Sequence, residues 1–390
     1  MSDQVEITSS MAESSRFTTH GREFAVESSF SEPNAAIIVG LYEDGRLIFS
    51  EAHPATENYL DEENAESLRE AAETLRAQVE EMYSFLGEIE GRPESRICVL
   101  LAGLFASRGI YDEATRLYTS GQELNPANDR AFYGDGLALL EIGQYAEACE
   151  RFSQAVSLKP LYADYRNNYG LALVWAGRIA EGRKQLDQAL ELNTYFADAY
   201  YNYGLTYLFN GIKGIDREMG SDFINQARAL FEKAALIDPA INAKEYQTGL
   251  RLLDQGSAHD AFGAFKRNRD WVIRERSPSY EDRRADFMGH LKSSDKQVVD
   301  ASIESLTRQM DQNPGFVDLS YKLAIAYLKR SLCDWRAGIE HFRSTLERNP
   351  DFAKAVKAYD IAYIALNDLE RSVGKIERLD DSPRRRPSKT

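Results

Sequence analysis

The sequence predicts a mainly α-helical fold, in which pairs of helices stack into an α-α superhelical solenoid behind a small β-hairpin or meander. Residue types that recur with a period of 34 residues through the middle of the chain predict the solenoid. Two apolar runs that flank a turn sequence near the N-terminus predict the β element. At 390 residues and 43% hydrophobic content, the chain can bury a large core.

Small residues and glycines show the repeat most clearly. One small residue recurs in the first helix of each unit, and a glycine follows it seven residues later. A small residue lets the neighbouring helix approach closely, and a glycine ends the helix. The small residues are Ala102, Gly136, Gly170 and Gly204, and the loop glycines are Gly109, Gly143, Gly177 and Gly211.

The second helix of each unit keeps its own phase, and proline stops it. The recurring residues are Ala114 and Ala148, then Tyr118, Phe152 and Leu186, with Pro126 and Pro160 at the ends. This pattern resembles the tetratricopeptide repeat (TPR). The stretch Ala197-Asp-Ala-Tyr-Tyr-Asn-Tyr-Gly-Leu-Thr-Tyr207 is similar to that family's first helix, and Gly143-Gln-Tyr-Ala-Glu-Ala148 is similar to the start of its second. The resemblance implies a curved helical array.

The fourth and later repeats depart from the pattern. Eleven residues are inserted within Ile212 to Phe223, and Ile212 to Gly220 is either a contact loop or a tolerated surface insertion. The charged segment Lys266 to Lys292 predicts a boundary at which the superhelix bends or splits. A degenerate array then resumes, in which Val317 to Pro350 is predicted to form one helical unit, and Ala353 to Leu369 a terminal capping helix.

Two elements precede the repeats. The runs Ala35 to Tyr42 and Arg46 to Glu51 flank Glu43-Asp44-Gly45, which predicts a hairpin, and Glu23 to Ser28 can add a third strand. The next helix, Asp61 to Glu90, has heptad spacing. Its apolar face either packs inside its own chain or forms a seam between two chains. The candidate seam residues are Leu68, Leu75, Val79, Met82, Leu86 and Ile89.

These observations predict six segments. They are a disordered N-terminus (1–21), a small β-meander (22–60), an acidic heptad-patterned helix (61–94), a TPR array of about five repeats (95–272), a degenerate second array with its capping helix (273–375) and a disordered tail (376–390).

Charge and motifs limit the function. The first 94 residues hold 21 acidic residues, six arginines and no lysine, which accounts for the whole net charge of −15. An acidic segment disfavours nucleic acid and favours basic protein surfaces. The sequence has no 18-residue apolar run, so no membrane span is predicted, and its three scattered cysteines suit a reducing, cytoplasmic location. Its five histidines and its motifs predict no metal site, no cofactor and no enzyme.

The resemblance implies that the first helices line a concave groove that binds other proteins. Lys and Arg are absent from the expected groove positions of the second to fourth repeats, which argues against a clamp for a chaperone's C-terminal carboxylate. We expect an apolar or amphipathic segment instead. The predicted groove residues are Tyr133, Leu137, Asn167, Asn168, Leu171, Trp175, Tyr201, Asn202, Leu205 and Phe209.

Other interpretations stay open. The same leucines can simply be packed, and the groove can be filled by the N-terminal segment or by a neighbouring subunit. A scaffold or adaptor is the leading prediction for the function. The alternatives are a self-assembling subunit of a homo-oligomeric ring or filament, and a regulatory subunit of an enzyme complex.

Overall fold

The computed structural model describes residues 12–31, 36–54, 62–90, 93–219, 221–292, 295–312, 317–348 and 353–381. The chain divides into two compact units, Met1–Ser120 and Gly121–Thr390. The mainly α-helical fold with a small N-terminal sheet is confirmed.

The first unit begins with a four-stranded antiparallel sheet in which neighbours in sequence are neighbours in space. Both described hairpin turns have two residues with positive φ, as type I′ turns require. They are His20-Gly21 and Asp44-Gly45. The strands are β1 (Ala12–Thr19), β2 (Arg22–Ser31), β3 (Ala36–Glu43) and β4 (Arg46–Pro54).

Strand β1 was not predicted, because residues 1–21 read as disordered. Its sequence is rich in Ser and Thr, and Phe17 is its one buried hydrophobic residue among those described. The Phe17 ring stacks on Phe24 of β2 at a centroid distance of 5.6 Å. Pairing with β2 therefore forms a strand whose own hydrophobic alternation is weak. Residues 1–11 lie outside the described part of the chain.

The heptad face of α1 (Glu62–Glu90) is buried inside its own unit. The helix packs on β1, β2 and β3, and on α2 (Ser95–Ser107). The intramolecular alternative is therefore the one adopted here, and this face is not exposed for pairing with a second chain. The buried residues are Leu68, Leu75, Val79, Met82, Leu86 and Ile89.

Helix pairs of the predicted array follow. Helix α3 (Tyr111–Leu124) spans the division between the two units, and the later pairs belong to the second unit. The predicted loop glycines Gly109, Gly143 and Gly177 have positive φ, as does Gly256 after a later first helix, with values between 70° and 81°. The pairs are α4 (Asp129–Glu141) with α5 (Tyr145–Leu158), α6 (Ala163–Trp175) with α7 (Ile179–Leu192), α8 (Ala197–Lys213) with α9 (Phe223–Ile237), and α10 (Lys244–Asp254) with α11 (Ala258–Arg276).

Glycines in the first helices set the spacing of each pair. A Cβ atom at Gly170 would come within 2.9 Å of the backbone oxygen of Gly182 on the second helix. In the other pairs it would meet a phenylalanine ring at 2.8 Å. A larger residue would force the helices apart, which explains the 34-residue recurrence. These pairs are Gly136 with Phe152, Gly204 with Phe231, and Gly249 with Phe265.

The insertion in the fourth repeat packs against the solenoid. Gly211 lies inside α8, and the glycine with positive φ is Gly214, so the prediction that Gly211 ends the helix is wrong. The side chain of Asn210 closes the loop with two hydrogen bonds of 2.7 Å to the backbone of Asp216. Met219 is buried in a cluster with residues of α6 and α7.

Four helices complete the second unit. They are α12 (Tyr280–Leu291), α13 (Lys296–Gln312), α14 (Val317–Arg348) and α15 (Ala353–Asp381), and each packs on the next. The helical unit predicted for Val317 to Pro350 is one continuous helix of 32 residues. The sequence has no Gly or Pro between Val317 and Gly338, so nothing interrupts the helix there. Helix α15 runs beyond the predicted boundary at 375, and residues 382–390 lie outside the described part.

The Gly170 contact predicts a sharp asymmetry between two alanine substitutions. Gly170→Ala should lower the free energy of unfolding by about 1–3 kcal/mol, because the Gly182 backbone cannot move aside cheaply. Gly338→Ala, at an exposed helical position with open space, should raise it by up to about 1 kcal/mol. Urea unfolding followed by circular dichroism measures both. Equal effects of the two substitutions would contradict the spacing argument.

Candidate protein-binding groove

The face of α4, α6 and α8 that the sequence predicts to be concave is here called the groove face. Helix α11 packs against α8 and contacts α6 on this face. Its Phe262 ring makes edge contacts with Trp175 of α6, at a centroid distance of 5.8 Å. The same ring lies 6.0 Å from Phe209 of α8. Trp175 and Phe209 are both predicted groove residues, so α11 covers part of the predicted binding surface.

One stripe of α11 faces α8. The backbone oxygen of Phe265 accepts a hydrogen bond of 2.8 Å from the Tyr201 hydroxyl. Further along the helix, Arg276 forms an ion pair of 3.0 Å with Asp198 and a second with Asp238. The chain itself therefore fills part of the groove face. It does so with α11, and not with the N-terminal segment considered in the sequence analysis. The stripe residues are Phe262, Phe265, Arg269, Val272 and Arg276, with the spacing of a heptad seam.

Between α11 and the groove face remains a cavity of about 300 Å³, here called the α11 cavity. Leu171 and Leu205 are completely buried and do not line it, while Trp175 and Phe209 are half-buried beside Phe262. Six of the ten predicted groove residues line the cavity: Tyr133, Leu137, Asn167, Asn168, Tyr201 and Asn202.

A relay of hydrogen bonds orients the amides of this surface. The Arg269 Nε atom donates to Asn202 Oδ1 at 2.9 Å. Asn202 Nδ2 then donates to Asn167 Oδ1, also at 2.9 Å. Beside them, Asn168 Nδ2 donates to the Tyr133 hydroxyl at 2.7 Å. The guanidinium of α11 thereby determines which end of each amide in the relay faces its neighbour.

The lining of the α11 cavity is predominantly acidic among its charged groups. Glu141, Asp164 and Asp198 contribute carboxylates, and Arg269 contributes a guanidinium. The protein atoms around Glu141 raise the pKa of its carboxyl, although solvent still reaches the side chain and Arg269 opposes the shift. Burial, with a further contribution from Asp164, also raises the pKa of Tyr133. Tyr133 is therefore a neutral phenol at physiological pH.

Phe262 and Arg269 were missed by the sequence analysis. Phe262 lies in the predicted array, and Arg269 lies in the charged segment Lys266 to Lys292 that was interpreted as a boundary. The spacing of apolar and basic residues at intervals of three and four along this helix was the signal that could have revealed a buried stripe. A helix of this kind can pack on either neighbour, so the spacing alone does not identify the partner.

Two features are absent from the described part of the chain. No helix there combines the length and apolar character that a membrane crossing requires. No group of three His, Cys, Asp or Glu side chains in the same ranges could hold a metal ion. The cysteines Cys98, Cys149 and Cys333 are buried and unbridged.

Several solved structures are similar to this chain. MamA shares 26% identity over 45% of this chain and 89% of its own, with a TM-score of 0.33. YrrB, described as a TPR protein with an unusual peptide-binding site, shares 21% over 48% and 92%, with a TM-score of 0.32. PilF from Pseudomonas aeruginosa shares 17% over 59% and 96%, with a TM-score of 0.35. No protein-family model and no curated protein sequence matches the chain.

The contacts of Phe262 predict a fluorescence change at Trp175. In a chain carrying Trp271→Phe and Trp335→Phe, Trp175 is the remaining tryptophan. Phe262→Ala should admit water beside it, shift its emission to longer wavelength and reduce the free energy of unfolding by about 2 kcal/mol, since Phe262 is only partly buried. Glu275→Ala, on the exposed face of α11, is the matched control. An unchanged emission in the Phe262 variant would show that α11 does not cover this surface.

Proposed function

We propose that this tetratricopeptide-repeat protein is a non-enzymatic scaffold or adaptor that binds a segment of another protein on its groove face. The observation that carries the proposal is the α11 cavity, where predicted groove residues of α4, α6 and α8 converge. Apolar side chains, amides and charged groups lie together there, which is the mixture that peptide-binding surfaces use. A cytoplasmic role in complex assembly accords with this chemistry.

The size of the cavity suits an anchor point. Its volume of about 300 Å³ is at the lower end for ligand pockets, so it accommodates one or two side chains of a longer segment. Helix α11 forms one wall and is held firmly, because Phe265 is fully buried and stacks on Phe231 at 3.8 Å. A partner segment is therefore expected to occupy the open part of the groove face beside α11, with the helix remaining in place.

The residues around the cavity favour binding over catalysis. Of the described residues that line it, none is a serine, threonine, cysteine, histidine or lysine. The lining therefore offers no serine or threonine hydroxyl and no thiol as a nucleophile, and no histidine or lysine as an adjacent base. Its amides and carboxylates are suited to hydrogen bonding and charge recognition. A regulatory subunit of an enzyme complex would use the same surface and would differ only in the protein bound.

Filling the cavity should abolish binding. We expect the full chain to enrich specific sequences from a displayed library of random 12-residue peptides. Leu137→Trp, which puts a larger side chain into the cavity, should lower the recovery of those peptides at least tenfold. Leu161→Trp, at an exposed position outside it, should leave recovery unchanged. If the wild-type chain enriches no sequence, or the Leu137 variant recovers the same peptides, the proposed function is wrong.

Self-assembly is a second candidate, favoured by an apolar surface on α14 and α15. Ile361 and Ile364 of α15 are 70% and 62% exposed, and Trp335 of α14 is 40% exposed. The Trp335 indole nitrogen already donates to the backbone of Ala362, so its ring presents apolar area to the surface. An apolar cavity of about 750 Å³ adjoins these residues. Such a patch favours contact with another chain, and a second copy would bury it.

Light scattering across a hundredfold concentration range tests this second candidate. Self-assembly predicts a mass that rises above 44.1 kDa with concentration. Ile361→Glu combined with Ile364→Glu should restore the monomer, because charges would be buried at the contact. Lys354→Glu, an exposed position on α15 with the same change in net charge, should still associate. A wild-type mass that stays monomeric throughout excludes self-assembly.

A further inference from the structure

The solvent side of helix α15 carries its own pattern of apolar and charged residues. At 3.6 residues per turn, the four residues Lys357, Ile361, Ile364 and Asp368 lie within a sector of about 60° around the helix. All four are exposed, and they are here called the α15 stripe. A different side of α15 packs on α14, where residues of both helices form a buried cluster. The α15 stripe therefore faces away from the neighbouring helix.

Two isoleucines at the centre of the stripe are the reason to expect a partner. Ile361 and Ile364 are 70% and 62% exposed. Apolar side chains that are adjacent and this exposed favour burial against another chain. Resting on the self-association proposed above as the second candidate function, we infer that the α15 stripe binds the same stripe of a second copy of the chain. The two α15 helices run antiparallel about a two-fold axis.

The charges of the stripe select a second copy and its orientation. Lys357 lies four residues before Ile361, and Asp368 lies four residues after Ile364. An antiparallel pairing can set Ile361 against the partner's Ile364. The equal spacing then sets Lys357 against the partner's Asp368, and the two-fold axis repeats both contacts. A parallel pairing would instead set each lysine against a lysine and each aspartate against an aspartate, which repulsion disfavours.

The Asp368 carboxylate is available for this contact. It lies 3.7 Å from the Arg371 guanidinium, beyond hydrogen-bond distance, and the two side chains are 69% and 76% exposed. An exposed pair of this kind contributes little to stability, because water and salt screen it. Arg371 also lies about 60° from Asp368 around the helix, outside the stripe. Asp368 can therefore bind a lysine of the second copy without displacing Arg371.

The C-terminal tail of the chain is a poor occupant of the stripe. Residues 382–390 contain three arginines, one lysine and no aspartate or glutamate. Nine residues reach at most about 30 Å, which is also about the distance along the helix from Asp381 back to Ile361. Only a fully extended tail would reach the isoleucines, and it would bring further positive charge beside Lys357. A second copy offers an apolar surface together with one charge of each sign.

Charge reversal at the two positions tests the pairing. Lys357→Glu and Asp368→Lys each turn both ion pairs of the symmetric contact into like-charge pairs. Each variant alone should therefore raise the dissociation constant for self-association at least tenfold, measured by sedimentation equilibrium. An equal mixture of the two variants should return it to within threefold of the wild-type value. In the mixture the introduced glutamate faces the introduced lysine, and the native Asp368 of one copy faces the native Lys357 of the other.

Matched controls lie on α15 outside the stripe. Lys354→Glu and Asp360→Lys make the same changes of charge at exposed positions and should leave the dissociation constant within threefold of wild type. Combining Lys357→Glu with Asp368→Lys in one chain should restore self-association of that chain alone, because both ion pairs form again with reversed signs. This restoration shows that the single substitutions do not act by disrupting the helix.

The outcomes separate the pairing from the self-association on which it rests. A wild-type chain that stays monomeric throughout would overturn both, and would leave the stripe to a different protein. A wild-type chain that associates would leave self-association standing. The antiparallel pairing would then be overturned by single variants that associate as well as wild type, or by a mixture that associates no better than they do.

Discussion

Close contact between a glycine and the second helix of its pair is the constraint on which the solenoid depends. Wherever the first helix carries this glycine, its missing Cβ leaves room for a phenylalanine ring or for a backbone oxygen, as at Gly204 and Gly170. The short distance between paired helices follows, and with it the burial of the alanines that recur on the second helix. Steric exclusion therefore explains why a small residue recurs at this position and how closely the two helices of each pair approach.

The same constraint holds in the last pair of the array, α10 and α11, but here the second helix also contacts the first helix of the preceding pair. Gly249 still accommodates Phe265, so α10 and α11 form an ordinary pair. That pair is placed so that α11, the second helix, contacts α8 directly. Phe262 reaches Trp175 and Phe209, and Arg276 reaches Asp198. The groove face is closed on one side as a result, because packing within a pair does not determine how one pair sits on the next.

This distinction explains how much the sequence could predict. Positions such as Gly136, Gly170 and Phe152 obey local steric rules and recur, so the pairs from α4 to α9 were predictable. Strand β1 was missed because pairing with β2 stabilises it. The continuous helix α14 was missed because nothing in the degenerate repeat indicates that the turn between its two helices is absent. The placement of α11 depends on contacts between residues more than 50 positions apart, which no local pattern reveals.

The candidate site combines both kinds of information. Its floor was predictable, since Asn167 and Asn202 lie on the first helices of successive repeats, at neighbouring positions of the 34-residue unit. Its chemistry was not, because the direction of their amides is set by Arg269, which arrives on a helix from another pair. An amide that is free to turn would serve a donor or an acceptor equally well. Because Arg269 donates to the oxygen of Asn202, and Asn202 donates to the oxygen of Asn167, the end of the relay at Asn167 is its amide nitrogen, which is a donor. A single residue on α11 therefore fixes the direction of the hydrogen bonds on this polar surface.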